Sequence, residues 1–165
     1  MSGDITQVSA DALTTLINPE GAWFGGVDQA IHKAAGNRYH YQAAKIKGYR
    51  TLSHGDVIMA YGTRQAHEGQ FDNVIFVVDN LETELNTLVT TALVAAQISG
   101  FKFISLPLMR TGVMIGLVEK TIEEVAKQMA TGISVFARMY PESPMLINVV
   151  VYNRNDLPIV VAATR

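Results

Sequence analysis

The feature that most constrains this chain is a repeated change of hydrophobic period. Five short stretches are apolar almost throughout: residues 12–17 (ALTTLI), 56–60 (DVIMA), 73–78 (NVIFVV), 101–108 (FKFISLPL) and 146–152 (LINVVVY). A strand with one wet face alternates apolar and polar side chains, whereas a near-continuous run marks a strand covered on both faces. Between these runs the apolar positions shift to helical spacing. Leu81, Leu85, Leu88, Val89, Ala92 and Ala96 share one stripe, which Gly100 ends. Val118, Ile122, Val125 and Met129 share a second, which continues past Gly132 to Phe136 and stops at Pro141. Residues 27–35 form a third, closed by Gly36. Strands alternating with helices predict a layered α/β domain with a central, largely parallel sheet covered on both faces. An antiparallel pairing is expected between 56–60 and 73–78, across the 62–72 connection. In such sheets ligands sit at the carboxyl ends of strands, where loops meet helix N-termini.

Composition narrows the class. The 165 residues fit one domain, residues 1–165, and 48% of them are hydrophobic, enough to bury a sizeable core. Formal net charge is −2 and the basic residues are dispersed, so a phosphate-backbone footprint is not expected and nucleic acid is a disfavoured partner. There are no cysteines, which excludes disulfides and thiolate metal sites. The opening MSGDITQVSAD is too polar for a secretory signal, and no apolar run approaches the roughly 20 residues of a membrane helix. A soluble cytoplasmic protein without membrane contact is the expectation. Composition leaves the oligomeric state open.

The stretch NPEGAWFGGVDQAIH, residues 18–32, carries the first chemistry. Gly25 and Gly26 precede a helix whose first N–H groups lack internal partners, and with the helix dipole this arrangement favours a phosphate. Asp28 falls in the first turn and His32 lies at i+4 on the same face. Asn18 follows the 12–17 strand. A strand end, a glycine loop and a helix start therefore bring Asn18, Asp28 and His32 around one cavity, although the same residues also read as a helix cap and a solvated histidine. A second loop, LPLMRTGVMIG at 106–116, links the 101–108 strand to the Val118 stripe. Thr111, Gly112 and Val113 offer amides and a hydroxyl, and Met114 and Ile115 sit between Gly112 and Gly116, either in the loop or in the core. Two glycine loops at two strand ends suggest a clamp for an extended, phosphate-containing small molecule.

These motifs, in this order, resemble the macrodomain family of ADP-ribose-binding modules. GDIT at 3–6, DALTTLINPEGAWFGGVDQAIHKAAG at 11–36 and LPLMRTGVMIG match that family's GDIT, DAIVNAAN, glycine run with GVDGAIH, and P-x-x-STGVFG loop. The resemblance implies a three-layer α/β/α fold around a mixed, mostly parallel sheet. Only Met1 and Ser2 precede GDIT, so the usual N-terminal edge strand is expected to be missing, or its edge covered by PIVVAAT at 158–164.

By resemblance, Asp4 accepts a hydrogen bond from the adenine amine and Ile5 reads the ring through its backbone. Asn18 meets the distal ribose, and Gly25, Gly26 and Val27 line the distal ribose and diphosphate with Thr111, Gly112, Val113, Met114 and Ile115. In the family's hydrolytic branch, residues matching Asn18, Asp28 and His32 remove ADP-ribose from acidic side chains, with the aspartate orienting a water and the histidine orienting the aspartate or moving protons. The implied ligand is ADP-ribose or an ADP-ribosylated protein, with no cofactor or metal. Whether the chain is an enzyme is left open. If so, it is an ADP-ribosyl hydrolase or an ADP-ribose-1''-phosphate phosphatase; a non-catalytic reader or scavenger, an adenine-containing RNA binder and a degenerate interaction surface are the alternatives.

Several residues depart from the pattern. Thr15 replaces an asparagine, and Trp23 and Phe24 replace glycines, either covering the ribose or filling its pocket. Arg110 replaces a serine and either pairs with a phosphate or points to solvent. Asp79 and Asn80 replace a Gly-Pro pair, setting a negative charge where an anion or ribose is expected.

Overall fold

A computed structural model describes residues 1–22, 26–62, 66–111 and 116–164. The apolar runs become β1 (Ala10–Ile17), β2 (Val57–Ala60), β3 (Phe71–Val78), β4 (Phe103–Pro107) and β5 (Leu146–Val150). They form one sheet in the order β2-β3-β1-β4-β5. β1 runs parallel to β3 and β4, and β4 parallel to β5, while β2 pairs antiparallel with β3, as the short connection between them requires.

Both sheet faces are covered, which is why these strands lack polar alternation. Ala12 and Leu16 turn to one side with Ile75, Val77, Ile104 and Leu106. That side packs against α3 (Asn86–Ile98), α4 (Ile122–Met139) and, through Val160, α5 (Leu157–Ala163). Leu13 and Ile17 turn the other way with Val74, Phe76 and Val78. There α1 (Gly26–Ala35) and α2 (Arg38–Lys47) contribute Ile31, Ala35, Tyr39 and Ala43. The result is a three-layer α/β/α fold with a mixed sheet.

Close approach of α3 and α4 depends on Gly132. A Cβ there would sit 2.6 Å from the Asn86 carbonyl oxygen and 2.7 Å from Val89 Cβ. Thr90 Oγ1 uses the approach to donate to the Gly132 carbonyl at 2.9 Å.

The helices differ from expectation in definite ways. α3 begins at Asn86 rather than near Leu81, because side-chain acceptors capture the preceding amides: Leu81 N–H donates to Asp79 Oδ1 at 2.8 Å and Glu82 N–H to Asn80 Oδ1 at 3.1 Å. α4 begins at Ile122 rather than Val118, capped by Thr121, whose Oγ1 accepts Glu124 N–H at 3.2 Å. α2 was not apparent in the sequence, and residues 158–164 are mostly helical.

Among the described residues the sheet has five strands. Ser2 makes one parallel bridge to Val151, Gly3 N–H donates to the Val151 carbonyl and Val151 N–H to that of Met1, both at 2.9 Å. Among the described residues no helix is long and apolar enough to cross a membrane.

Candidate functional site

Because β1 lies between β3 and β4, the residues leaving their carboxyl ends converge. Asp79 N–H donates to the Ile17 carbonyl at 2.8 Å, joining the end of β3 to the end of β1. Asn18 then organises its own loop. Its Oδ1 accepts Ala22 N–H at 2.8 Å, its backbone N–H donates to the Ala22 carbonyl at 3.0 Å, and its carbonyl accepts Gly21 N–H at 2.8 Å. The side-chain NH2 makes no hydrogen bond among the described residues and is the group Asn18 has left to offer a ligand. Beside this loop a cavity of about 160 Å³ is lined by Ile17, Glu20, Gly21, Ala43, Lys47 and Leu52, among others.

Asp28, in the first turn of α1, is buried at 2% exposure. Its Oδ1 accepts from His40 Nε2 at 3.0 Å and from Thr15 Oγ1 at 3.4 Å. A carboxylate only accepts, so the His40 tautomer bound to it carries its proton on Nε2. The His40 ring also stands edge-on to Phe76, with centroids 5.0 Å apart.

The expected pairing of Asp28 with His32 is therefore corrected. The buried stripe of α1 runs through Asp28, Ile31 and Ala35, and His32 lies just outside it, exposed. The histidine on Asp28 comes from α2. Thr15, which stands where the family pattern has an asparagine, serves as a second donor to the same carboxylate.

At the end of β4 the expectations for Arg110 are also corrected. It does not point to solvent; its guanidinium is paired with two carboxylates. Its Nε and Nη2 donate to Asp79 Oδ2 and Oδ1 at 2.9 and 2.8 Å, and its Nη1 donates to Glu119 Oε2 and Oε1 at 2.9 and 3.2 Å. Arg110 is 5% exposed, Asp79 0% and Glu119 5%. Burial alone would lower the guanidinium's pKa, but hydrogen bonds and charge from the two carboxylates raise it above its ordinary value. The Asp79 carboxylate, expected to face the ligand, is occupied by Arg110 and Leu81 N–H.

The remaining sequence candidates divide clearly. Asp4 is exposed and caps the 3₁₀ turn Ile5–Gln7, accepting Thr6 N–H at 2.9 Å and Thr6 Oγ1–H at 2.7 Å. Ile5 is buried in the core beside α1 and α2. Val27 packs partly buried against that core, and Gly26 opens α1. Thr111 Oγ1 donates back to the Leu108 carbonyl at 2.9 Å. Gly25, Gly112, Val113, Met114 and Ile115, with Trp23 and Phe24, lie outside the described residues.

Comparison with known proteins gives this geometry its family. A model of the Macro domain matches residues 16–126, more than half of the chain, and includes the Asn18 loop, Asp28 and Arg110. The chain belongs to the macrodomain family. This macrodomain is 29% identical over 119 residues to an uncharacterised protein of Thermoplasma volcanium, an alignment covering 68% of this chain and 64% of the relative. Solved structures agree on the fold. A macrodomain of Oceanobacillus iheyensis with ADP superposes with a TM-score of 0.78 at 24% identity, over 98% of this chain and 86% of that one. The Trypanosoma brucei macrodomain in complex with ADP-ribose gives 0.81 at 17% identity, over 99% and 67%.

Proposed function

We propose that this macrodomain binds ADP-ribose at the carboxyl ends of β1 and β4, with the start of α1 supplying backbone donors to the diphosphate. The observation that carries the reading is the start of α1. α1 starts at Gly26, and Asp28 in its first turn accepts from Thr15 Oγ1 on β1, so the helix start stands beside the carboxyl end of that strand. The first N–H groups of a helix have no intrahelical partner and, with the helix dipole, favour a phosphate oxygen. The ADP-ribose complex of the Trypanosoma brucei relative supports the choice of ligand.

Hydrolysis of ADP-ribosyl esters is the finer reading, with ADP-ribosylated protein as the partner. Asp28 Oδ1 is held by His40 and Thr15, while Oδ2 accepts no hydrogen bond from a described residue and is the oxygen left to orient a water. Asn18 holds a ribose hydroxyl. The exposed place of His32, off the buried stripe, favours a second reading in which the protein binds without turnover.

Titration calorimetry with ADP-ribose tests the binding claim, and no heat at millimolar ligand removes it. Release of ADP-ribose from a protein modified on acidic side chains tests turnover. Asp28→Asn keeps the buried shape and is expected to bind while releasing about 10²–10⁴-fold less, the usual contribution of a general base. A variant as active as the parent refutes the role of Asp28; a parent that binds without releasing establishes the reader.

A further inference from the structure

His67 takes no part in the site, yet both of its ring nitrogens are engaged. Nδ1 lies 3.0 Å from Gly69 N–H, which can only donate, so Nδ1 carries a lone pair. The ring proton is then on Nε2, 2.9 Å from Tyr39 Oη. Tyr39 accepts that N–H and donates its own hydroxyl hydrogen to the Asp72 carbonyl at 2.7 Å. All three bonds exist together in one arrangement of protons, and in it the imidazole is neutral.

The turn has little room to give. The His67 ring leans on Phe71 with centroids 4.9 Å apart and stands edge-on to Tyr39 at 5.8 Å. A Cβ at Gly69 would sit 2.5 Å from Phe71 Cε1 and 3.1 Å from His67 Cε1. From there residues 67–70 reach three other parts of the chain. Glu68 N–H donates to the Ala34 carbonyl near the end of α1 at 3.0 Å, and Gln70 N–H to the Thr6 carbonyl at 2.7 Å. The Gln70 carbonyl accepts Ala10 N–H at the start of β1 at 3.1 Å, and the Glu68 carbonyl accepts from Gln7 Nε2 at 3.2 Å. Residues 67–70 thus strap the 3₁₀ turn Ile5–Gln7 to α1 at the amino ends of β1 and β3, away from the carboxyl ends where the ligand is proposed to bind.

We propose that His67 is an acid-sensitive latch on this strap: a second ring proton can go only to Nδ1, where it displaces Gly69 N–H and lets residues 67–70 lift. The imidazolium has two donors and no acceptor, so two N–H groups would point at each other across 3.0 Å. The surroundings act unevenly on that charge. Burial opposes it most, Arg38 of α2 opposes it as well, and Asp72 of β3 favours it, leaving the pKa below its ordinary value. Tyr39 of α2, with its pKa pushed up to about 12, is neutral throughout this range, and Glu68 is the strap's own exposed carboxylate. The folded state therefore binds the second proton less readily than the unfolded state. The latch is whole above the ordinary histidine pKa of 6.5 and is lost as pH falls through the lower folded value.

Ring nitrogen chemical shifts and amide exchange, followed from about pH 8 down to about pH 5, test the latch. At the upper limit the shifts are expected to show His67 protonated on Nε2. Protection factors, which remove the intrinsic pH dependence of exchange, are expected to fall about tenfold or more at Glu68, Gly69 and Gln70 across the range. Those of Val74 to Val78 are expected to change less than threefold. His67→Asn puts an amide oxygen in the place of Nδ1, which accepts Gly69 N–H as an Asx-turn and cannot be charged, so its strap is expected to stay protected in acid. Should that variant fail to fold, the parent decides alone: the midpoint of the strap's loss is expected to match the His67 titration. A proton on Nδ1 at the upper limit, protection unchanged in acid, or a loss shared equally by Val74 to Val78 overturns the proposal. So does a folded His67→Asn protein whose strap opens in acid as the parent's does.

Discussion

Replacing His40 by leucine tests whether Asp28 is held from α2. The change removes the Nε2 donor 3.0 Å from Asp28 Oδ1 and leaves the carboxylate with Thr15 at 3.4 Å. A hydrogen bond to a charged group contributes about 1.5–3 kcal/mol. Loss of the edge-on contact with Phe76 adds about 0.5–1.5 kcal/mol. Leucine refills part of the apolar volume, so the expected cost is about 2–4 kcal/mol, within the roughly 5–15 kcal/mol that a domain commands. With a urea slope of about 2 kcal/mol/M, the unfolding midpoint falls by about 1–2 M. The decisive measurement is the cycle with Asp28→Asn, which separates the Asp28 pair from His40's other contacts. A coupling of about 1.5 kcal/mol or more is expected, because the double variant leaves no buried carboxylate short of its donor. Additive costs, or a His40→Leu midpoint equal to the parent's, would refute the reasoning.

Two further predictions concern the frame around the site. Gly132→Ala gains about 1 kcal/mol of helix propensity but drives a Cβ into the Asn86 carbonyl and Val89, so a net loss of about 1–3 kcal/mol is expected; a raised melting temperature would contradict the close approach of α3 and α4. Tyr39, whose Oη donates to the Asp72 carbonyl at 2.7 Å, has its pKa pushed by burial from 10.0 to about 12. The folded state then binds the proton more tightly than the unfolded state, so this contribution is whole below pH 10 and is lost as pH climbs to about 12. Urea titrations are expected to lose about 2–3 kcal/mol across that window in the parent, and Tyr39→Phe is expected to lack this component.

What the sequence revealed follows from where its signals are local. β1 and β3 were legible because both faces are buried, so their apolar runs are unbroken. α2 was not, since its buried residues are Tyr39, His40 and Ala43 among charged neighbours, and no aliphatic stripe marks them. The start of α3 was misplaced because Leu81 and Leu85 keep a helical spacing while Asp79 and Asn80 take the amides that would have continued the helix. Asp28 with His32 was a pairing of neighbours in sequence; His40 becomes the partner only when two helices meet on one sheet face. Arg110 and Asp79 were each conspicuous, but judged singly each seemed to address solvent or ligand. Strand order puts them within reach of one another, and strand order is not written in any short motif.

The buried trio also constrains how this lineage can have changed. Loss of the arginine after β4 strands two buried carboxylates, and loss of Asp79 leaves Arg110 with Glu119 alone; breaking a buried ion pair costs about 3–5 kcal/mol, a large share of what holds a domain together. Such intermediates are poor stopping points. Positions 79 and 110 should therefore be inherited as a couple, and homologues bearing an uncharged residue at one should bear one at the other.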